Sequence, residues 1–90
     1  MSEQGKNKDK IEVTVVVSGQ PERLKPKTDD RLEELVHDAL KKSGNEGQAP
    51  SEWELRTEDG RLLEQSLTVG AAGIQDGMTL FLSPKAGAGG

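Results

Sequence analysis

Apolar residues recur at every second position in Ile11, Val13, Val15 and Val17, with Glu12, Thr14, Val16 and Ser18 on the other face. That period of two, in β-branched residues, predicts a half-buried strand. Gly19-Gln20-Pro21 reads as a turn, with Gly19 first in a II′-like or longer hairpin loop. Arg23-Leu24-Lys25-Pro26-Lys27 reads as a weaker second strand. Pro26 has no N–H to give a ladder, so this strand is expected at an edge or to end there. The period then changes. Leu32, Leu35, Val36, Ala39 and Leu40 follow the i, i+3, i+4, i+7, i+8 spacing of one helical stripe. Thr28-Asp29-Asp30 supplies candidate caps, and Asp30 with Glu33 fits a capping box. Lys41 and Lys42 complement the negative end of the helix dipole, and Gly44 fits the position after the last turn.

Alternation returns at Trp53 and Leu55, between Glu52, Glu54 and Arg56, predicting a third strand with Trp53 in the core or at its rim. Glu58-Asp59-Gly60 reads as a tight turn into a short fourth strand at Arg61-Leu62-Leu63. The glycines and alanines between Val69 and Ile74 argue for a compact irregular turn. Met78-Thr79-Leu80-Phe81-Leu82 forms the last strand, with Met78, Leu80 and Leu82 on one face and Phe81 on the other. Pro84 ends regular structure. The order predicts an α+β domain in which a mixed four- or five-stranded sheet packs one face on a single helix. The last strand is expected inside the sheet, beside the first.

The ends differ from this middle. Residues 1–10 have only Met1 as an apolar side chain and read as a disordered extension; 11–83 form the domain; 84–90 form a flexible tail. Lys6, Lys8 and Lys10 are exposed amines that suit solubility, and they are also candidate acceptors for covalent attachment of another chain. Ser83 to Gly90 carries no large side chain after Lys85 and closes on Gly89-Gly90. Those eight residues reach roughly 26 Å when fully extended. A thin tail of this kind suits passage through a narrow channel, although Gly-rich ends are often idle.

Composition narrows the chemistry. The net charge is −4, against nucleic-acid binding through phosphates. No apolar run approaches the roughly 20 residues of a membrane span, and the first ten residues lack the apolar core of a signal peptide, so a cytoplasmic monomer is expected. With no cysteine and one histidine, thiolate catalysis, disulfides and two-histidine metal sites are excluded. His37, on the polar side of the helix among acids, reads as a surface histidine. No base and nucleophile converge, so the chain does not read as an enzyme.

The opening hairpin, the helix closed at Gly44, the Pro50-containing connection, Glu58-Asp59-Gly60-Arg61-Leu62-Leu63, the turn to Ile74, Thr79-Leu80-Phe81-Leu82 and Gly89-Gly90 together resemble the β-grasp fold of ubiquitin-like proteins, across Ile11 to Gly90. The resemblance implies a modifier whose Gly90 carboxylate is adenylated by an ATP-using activating enzyme. The carboxylate is then carried as a thioester by activating and conjugating enzymes and joined to target-protein lysines. Gly89 supplies clearance, and a deconjugating peptidase reverses the bond. The chain itself would hold no cofactor; ATP belongs to the activating enzyme. Lys85 falls near a basic position that such enzymes read. The tail departs from ubiquitin in its length, its Pro84 and its alanines, implying dedicated partner enzymes. Where ubiquitin carries an apolar docking patch, this chain offers Arg56 and Ser83; Phe81 and Arg56 are the candidates for a different surface contact, with Val16 as a further apolar one. The extension, the tail and the Gly-rich turn are more similar to bacterial members, some of which serve in antiphage operons. Two alternatives share the fold: a non-covalent interaction module of a secretion system, and a sulfur carrier ending as a thiocarboxylate.

Overall fold

The computed structural model describes residues 10–85. Four strands form one mixed sheet: β1 (Val13–Val17), β2 (Gln20–Leu24), β3 (Trp53–Thr57) and β4 (Thr79–Pro84), in the order β2-β1-β4-β3. One helix, α1 (Leu32–Lys42), covers one face. β1 and β4 run parallel at the centre, with Val15 opposite Leu80 and Val17 opposite Leu82; both outer pairs are antiparallel.

The two periods build the core as expected. Val13, Val15 and Val17 of β1, Leu55 of β3, and Leu80 and Leu82 of β4 are buried on the inner face. Against them lie all five stripe residues of α1, Leu32, Leu35, Val36, Ala39 and Leu40. Full burial of such a side chain stabilises by about 1.5–3 kcal/mol. Trp53 is 5% exposed and belongs to this core. The helix closes as predicted. Gly44 has φ of 86°, its N–H donates to the Lys41 carbonyl and the Asn45 N–H donates to the Leu40 carbonyl. This is the paired 5→2 and 6→1 bonding of a Schellman end.

Three local expectations are corrected. The hairpin turn is Ser18-Gly19, with φ of 49° and 91°, and β2 begins at Gln20, before the expected Arg23. Two consecutive positive φ values match the right-handed twist of the flanking strands. Pro21 then sits inside β2 without cost: Thr14 and Ser18 donate outward to β4, so Val15 and Val17 bond β2, and Pro21 falls at a position facing away from the ladder. Second, the start of α1 has no side-chain cap. Asp30 instead accepts from the Lys27 N–H, and the Leu32 and Glu33 N–H groups donate to the carbonyls of Leu67 and Gln65. The loop after β3 therefore does the capping, held by Val69 N–H to Asp30 and Gly70 N–H to Thr28. A Cβ on Gly70 would lie 3.3 Å from the Thr28 carbonyl oxygen, so the close approach favours glycine. Third, Arg61-Leu62-Leu63 is no full strand and contributes one bridge, Leu62 to Arg56. The Arg61 N–H turns to the Thr57 hydroxyl, leaving the pairing incomplete.

Leu35 is 3% exposed at the middle of the helix stripe. Leu35→Ala is expected to lower unfolding free energy by about 2–5 kcal/mol, and Gly44→Ala by about 1–2 kcal/mol because alanine must adopt the left-handed conformation. Urea denaturation of both variants against the parent measures each loss.

Candidate functional site

β4 delivers the chain end to one side of a rigid sheet. Pro84 pairs opposite Trp53, and the Lys85 N–H donates to the Glu52 carbonyl at 2.9 Å, so the backbone is held through Lys85. Glu52 belongs to a 3₁₀ turn, Pro50–Glu52, that leads into β3. Gln65 braces this turn from the other side, its amide donating to the carbonyls of Pro50 and Trp53 at 3.1 and 2.9 Å. Lys85 itself is exposed. Gly89 and Gly90 lie outside the described residues, as do Lys6 and Lys8. Lys10 is exposed and bridges Lys27 beside β2.

The second feature is the outer face of the sheet. Strand register brings Pro21, Val16, Phe81 and Arg56 into one row across β2, β1, β4 and β3, and the bridge to Arg56 adds Leu62. At about 4.8 Å per strand, the four-strand row spans roughly 14 Å. Phe81 is 40% and Leu62 55% exposed. The structure thus joins Phe81, Val16 and Arg56, and adds Pro21 and Leu62, which sequence reasoning assigned to a turn and a strand. Leu62 could have been found by asking which face a residue bridged to Arg56 must share. Ser83, opposite Glu54, starts a polar row beside it.

Arg56 has a structural duty in this row. Its guanidinium donates to the Gly60 carbonyl at 3.0 Å and pairs with Glu54 at 3.1 Å, strapping the 57–60 turn to the sheet. Within that turn the Thr57 hydroxyl bonds Asp59 and accepts the Arg61 N–H, and the Gly60 N–H donates to the Thr57 carbonyl. The Glu58-Asp59-Gly60 signal therefore encodes a turn. The Thr57 hydroxyl holds the Asp59 carboxyl below its ordinary value of 3.8 against an opposing desolvation, with lesser help from backbone N–H groups and Arg61. His37 is exposed beside Asp38, away from both features.

A family model described as Protein of Unknown function (DUF2604) matches residues 6–90. The chain belongs to this family. A protein of Sinorhizobium fredii named Uncharacterized protein y4jI is 38% identical over 81 residues, covering 90% of this chain. The chain spans 62% of that relative's length. Among solved structures, a de novo design based on ubiquitin superposes with a TM-score of 0.75 at 24% identity, covering 91% of this chain and 96% of the design. The ubiquitin of Caldiarchaeum subterraneum gives 0.70 at 18% identity, covering 84% and 94% of the two chains. A chain from a structure of molecular mimicry of SUMO that promotes DNA repair gives 0.72 at 16% identity, covering 82% and 90%. At these identities the likeness shows the fold, a ubiquitin-like β-grasp. Among the described residues, no helix is long and apolar enough to cross a membrane.

Because the ionised form of Asp59 is favoured by the folded turn, its contribution to stability is complete above pH 3.8 and is lost as pH falls through the lower folded value. Thr57→Val should move the Asp59 titration up toward 3.8, read from side-chain carboxyl chemical shifts against pH. An unchanged midpoint would show that the hydroxyl does not hold the carboxylate.

Proposed function

We propose that this chain is a ubiquitin-like protein modifier that reacts through the carboxylate of Gly90. An activating enzyme directs a carboxylate oxygen onto the α-phosphorus of ATP, and pyrophosphate leaves. A cysteine thiolate of that enzyme displaces AMP, giving a thioester, which passes to a conjugating enzyme's cysteine. A target lysine amine finally displaces the thiolate, giving an isopeptide bond. The chain supplies the electrophile, and its partners supply the catalytic side chains. Gly89 leaves room around the reacting carbon.

The observation that carries this reading is the fixed root of the tail: a central strand parallel to β1, with Lys85 pinned to Glu52. A tail that leaves a rigid body at a defined point can be presented to an enzyme with little ordering cost on the domain side. The Sinorhizobium fredii relative supports a bacterial setting. The reading extends to an operon with dedicated activating and conjugating enzymes and a deconjugating peptidase, of the kind that defends against phage. Lys6, Lys8 and Lys10 are then candidate acceptors on the chain itself, and Lys85 a contact for the activating enzyme.

The row of exposed Pro21, Phe81 and Leu62 around half-buried Val16 favours a second reading, a non-covalent interaction module of a secretion system. Such a module needs the sheet face and not the tail.

Incubation of the full chain with the activating enzyme encoded beside it, and ATP, should give a thiol-sensitive adduct by intact mass. The chain with Gly90 deleted should give none. Adducts from both chains, or from neither, would sink the modifier reading. A mass matching sulfur in place of one carboxylate oxygen would assign a sulfur carrier instead.

A further inference from the structure

A groove of about 410 Å³ opens where the segment after β3 diverges from the strand. Main-chain bonds join the two at Thr57 N–H to Arg61 and Leu63 N–H to Leu55, and at Trp53 the Gln65 side chain takes over. The space left between Pro50–Leu55 and Leu62–Gln65 has an apolar floor of Trp53, Leu55 and Leu63, and an apolar wall in exposed Leu62. Glu33, Glu54 and Glu64 line it, and Lys85 contributes a cation at the root of the tail.

The charges are not equivalent. Glu54 is engaged by Arg56 at 3.1 Å. Glu33 and Glu64 have no ion-pair partner among the described residues. Glu33 sits at the start of α1, where its own N–H bonds Gln65, so its carboxylate is brought beside the groove by the same contact that caps the helix. Glu33 and Glu64 are exposed, and no three acidic or histidine side chains converge as metal ligands among the described residues. The lining therefore couples an apolar centre to the exposed carboxylates of Glu33 and Glu64, within a chain of net charge −4 that steers cations toward it.

We propose that this groove docks a cationic segment of a partner protein, an extended stretch with an apolar side chain set between Lys or Arg residues. The apolar side chain seats against Leu62, Leu63 and the edge of Trp53. The basic groups meet Glu33 and Glu64, and Lys85 disfavours a cation at its own end, which fixes the direction of the segment. Such charge pairing sets specificity and association rate more than raw affinity. The inference uses no group beyond Lys85 and stands apart from the chemistry of the tail.

The probe is a synthetic acetyl-Arg-Leu-Arg-Leu-Arg amide peptide, with the matching glutamate–leucine peptide as control. It is titrated into the full chain while the emission of Trp53, the one tryptophan, and the backbone amide shifts are followed. The basic peptide should bind saturably with shifts centred on Leu63, Gln65 and Glu33, and weaken as salt rises; the acidic one should not bind. Glu33→Lys with Glu64→Lys should weaken binding about tenfold or more, from two partly exposed charge pairs. The reversal Glu34→Lys with Glu46→Lys changes the net charge equally outside the groove and should alter affinity by less than about twofold. Leu62→Ser, at an exposed side chain, should weaken binding without changing the thermal melt. Shifts spread over the whole surface, equal losses in the two double variants, equal binding of the acidic peptide, or unchanged affinity in Leu62→Ser would each overturn the proposal.

Discussion

The parallel pairing of β1 with β4 is the constraint on which the other features depend. It joins strands from the two ends of the described chain, Val15 to Leu80 and Val17 to Leu82, and a parallel pair cannot be closed by a tight turn. Everything between them must form the crossover. Closing so long a loop is repaid only when both strands bury their inner faces, which they do beneath α1. Such non-local pairing is also a slow step in folding, so the hairpin and helix, whose contacts are local, are suited to form first. The pairing also decides where the chain leaves the sheet. β4 runs in the direction of β1, so Lys85 emerges at the end that carries the Ser18-Gly19 turn and the start of β3.

Much of this was legible because period is a local property. Val13, Val15 and Val17, the α1 stripe, Trp53 with Leu55, and Leu80 with Leu82 each announce one buried face, and a sheet with one covered side follows from their order. The failures share a different cause. Asp30 carries every local mark of a helix cap, yet tertiary structure offers the α1 N–H groups two carbonyls from the 65–67 loop, and Asp30 is drawn to Lys27. Pro21 looks like a turn residue because local rules cannot show which side of a strand lacks a partner. Arg61-Leu62-Leu63 reads as a strand because it follows a tight turn, but the Thr57 hydroxyl diverts the Arg61 N–H.

The candidate sites divide along the same line. Phe81 was assigned outward by simple alternation, and Trp53 inward. That Phe81 stands in a row with Val16, Pro21 and Arg56 depends on register among four strands, which no single segment encodes. The groove beside β3 depends on still more: an incomplete pairing, a glutamine that replaces a backbone partner, and the first turn of a helix far away in sequence. Arg56 shows the opposite hazard. It stands where a docking residue was expected, but its guanidinium is spent holding Gly60 and Glu54.

The edges of the sheet limit how such a protein can be engaged. An open strand edge invites a partner strand, because its outward N–H and C=O groups form a template. At β2 that template is broken. Pro21 faces outward and has no N–H, and the Arg23 carbonyl is taken by the Lys42 ammonium at 2.9 Å. At β3 the outward groups of Thr57 and Leu55 bond Arg61 and Leu63, and the Trp53 carbonyl is held by Gln65. Strand addition is thus obstructed on both sides by different means. Partners are left with side-chain surfaces, the outer row and the β3 groove, together with the chain end that β4 presents. The two surfaces meet at Leu62, which ends the row beside Arg56 on the β3 side and also forms a wall of the groove.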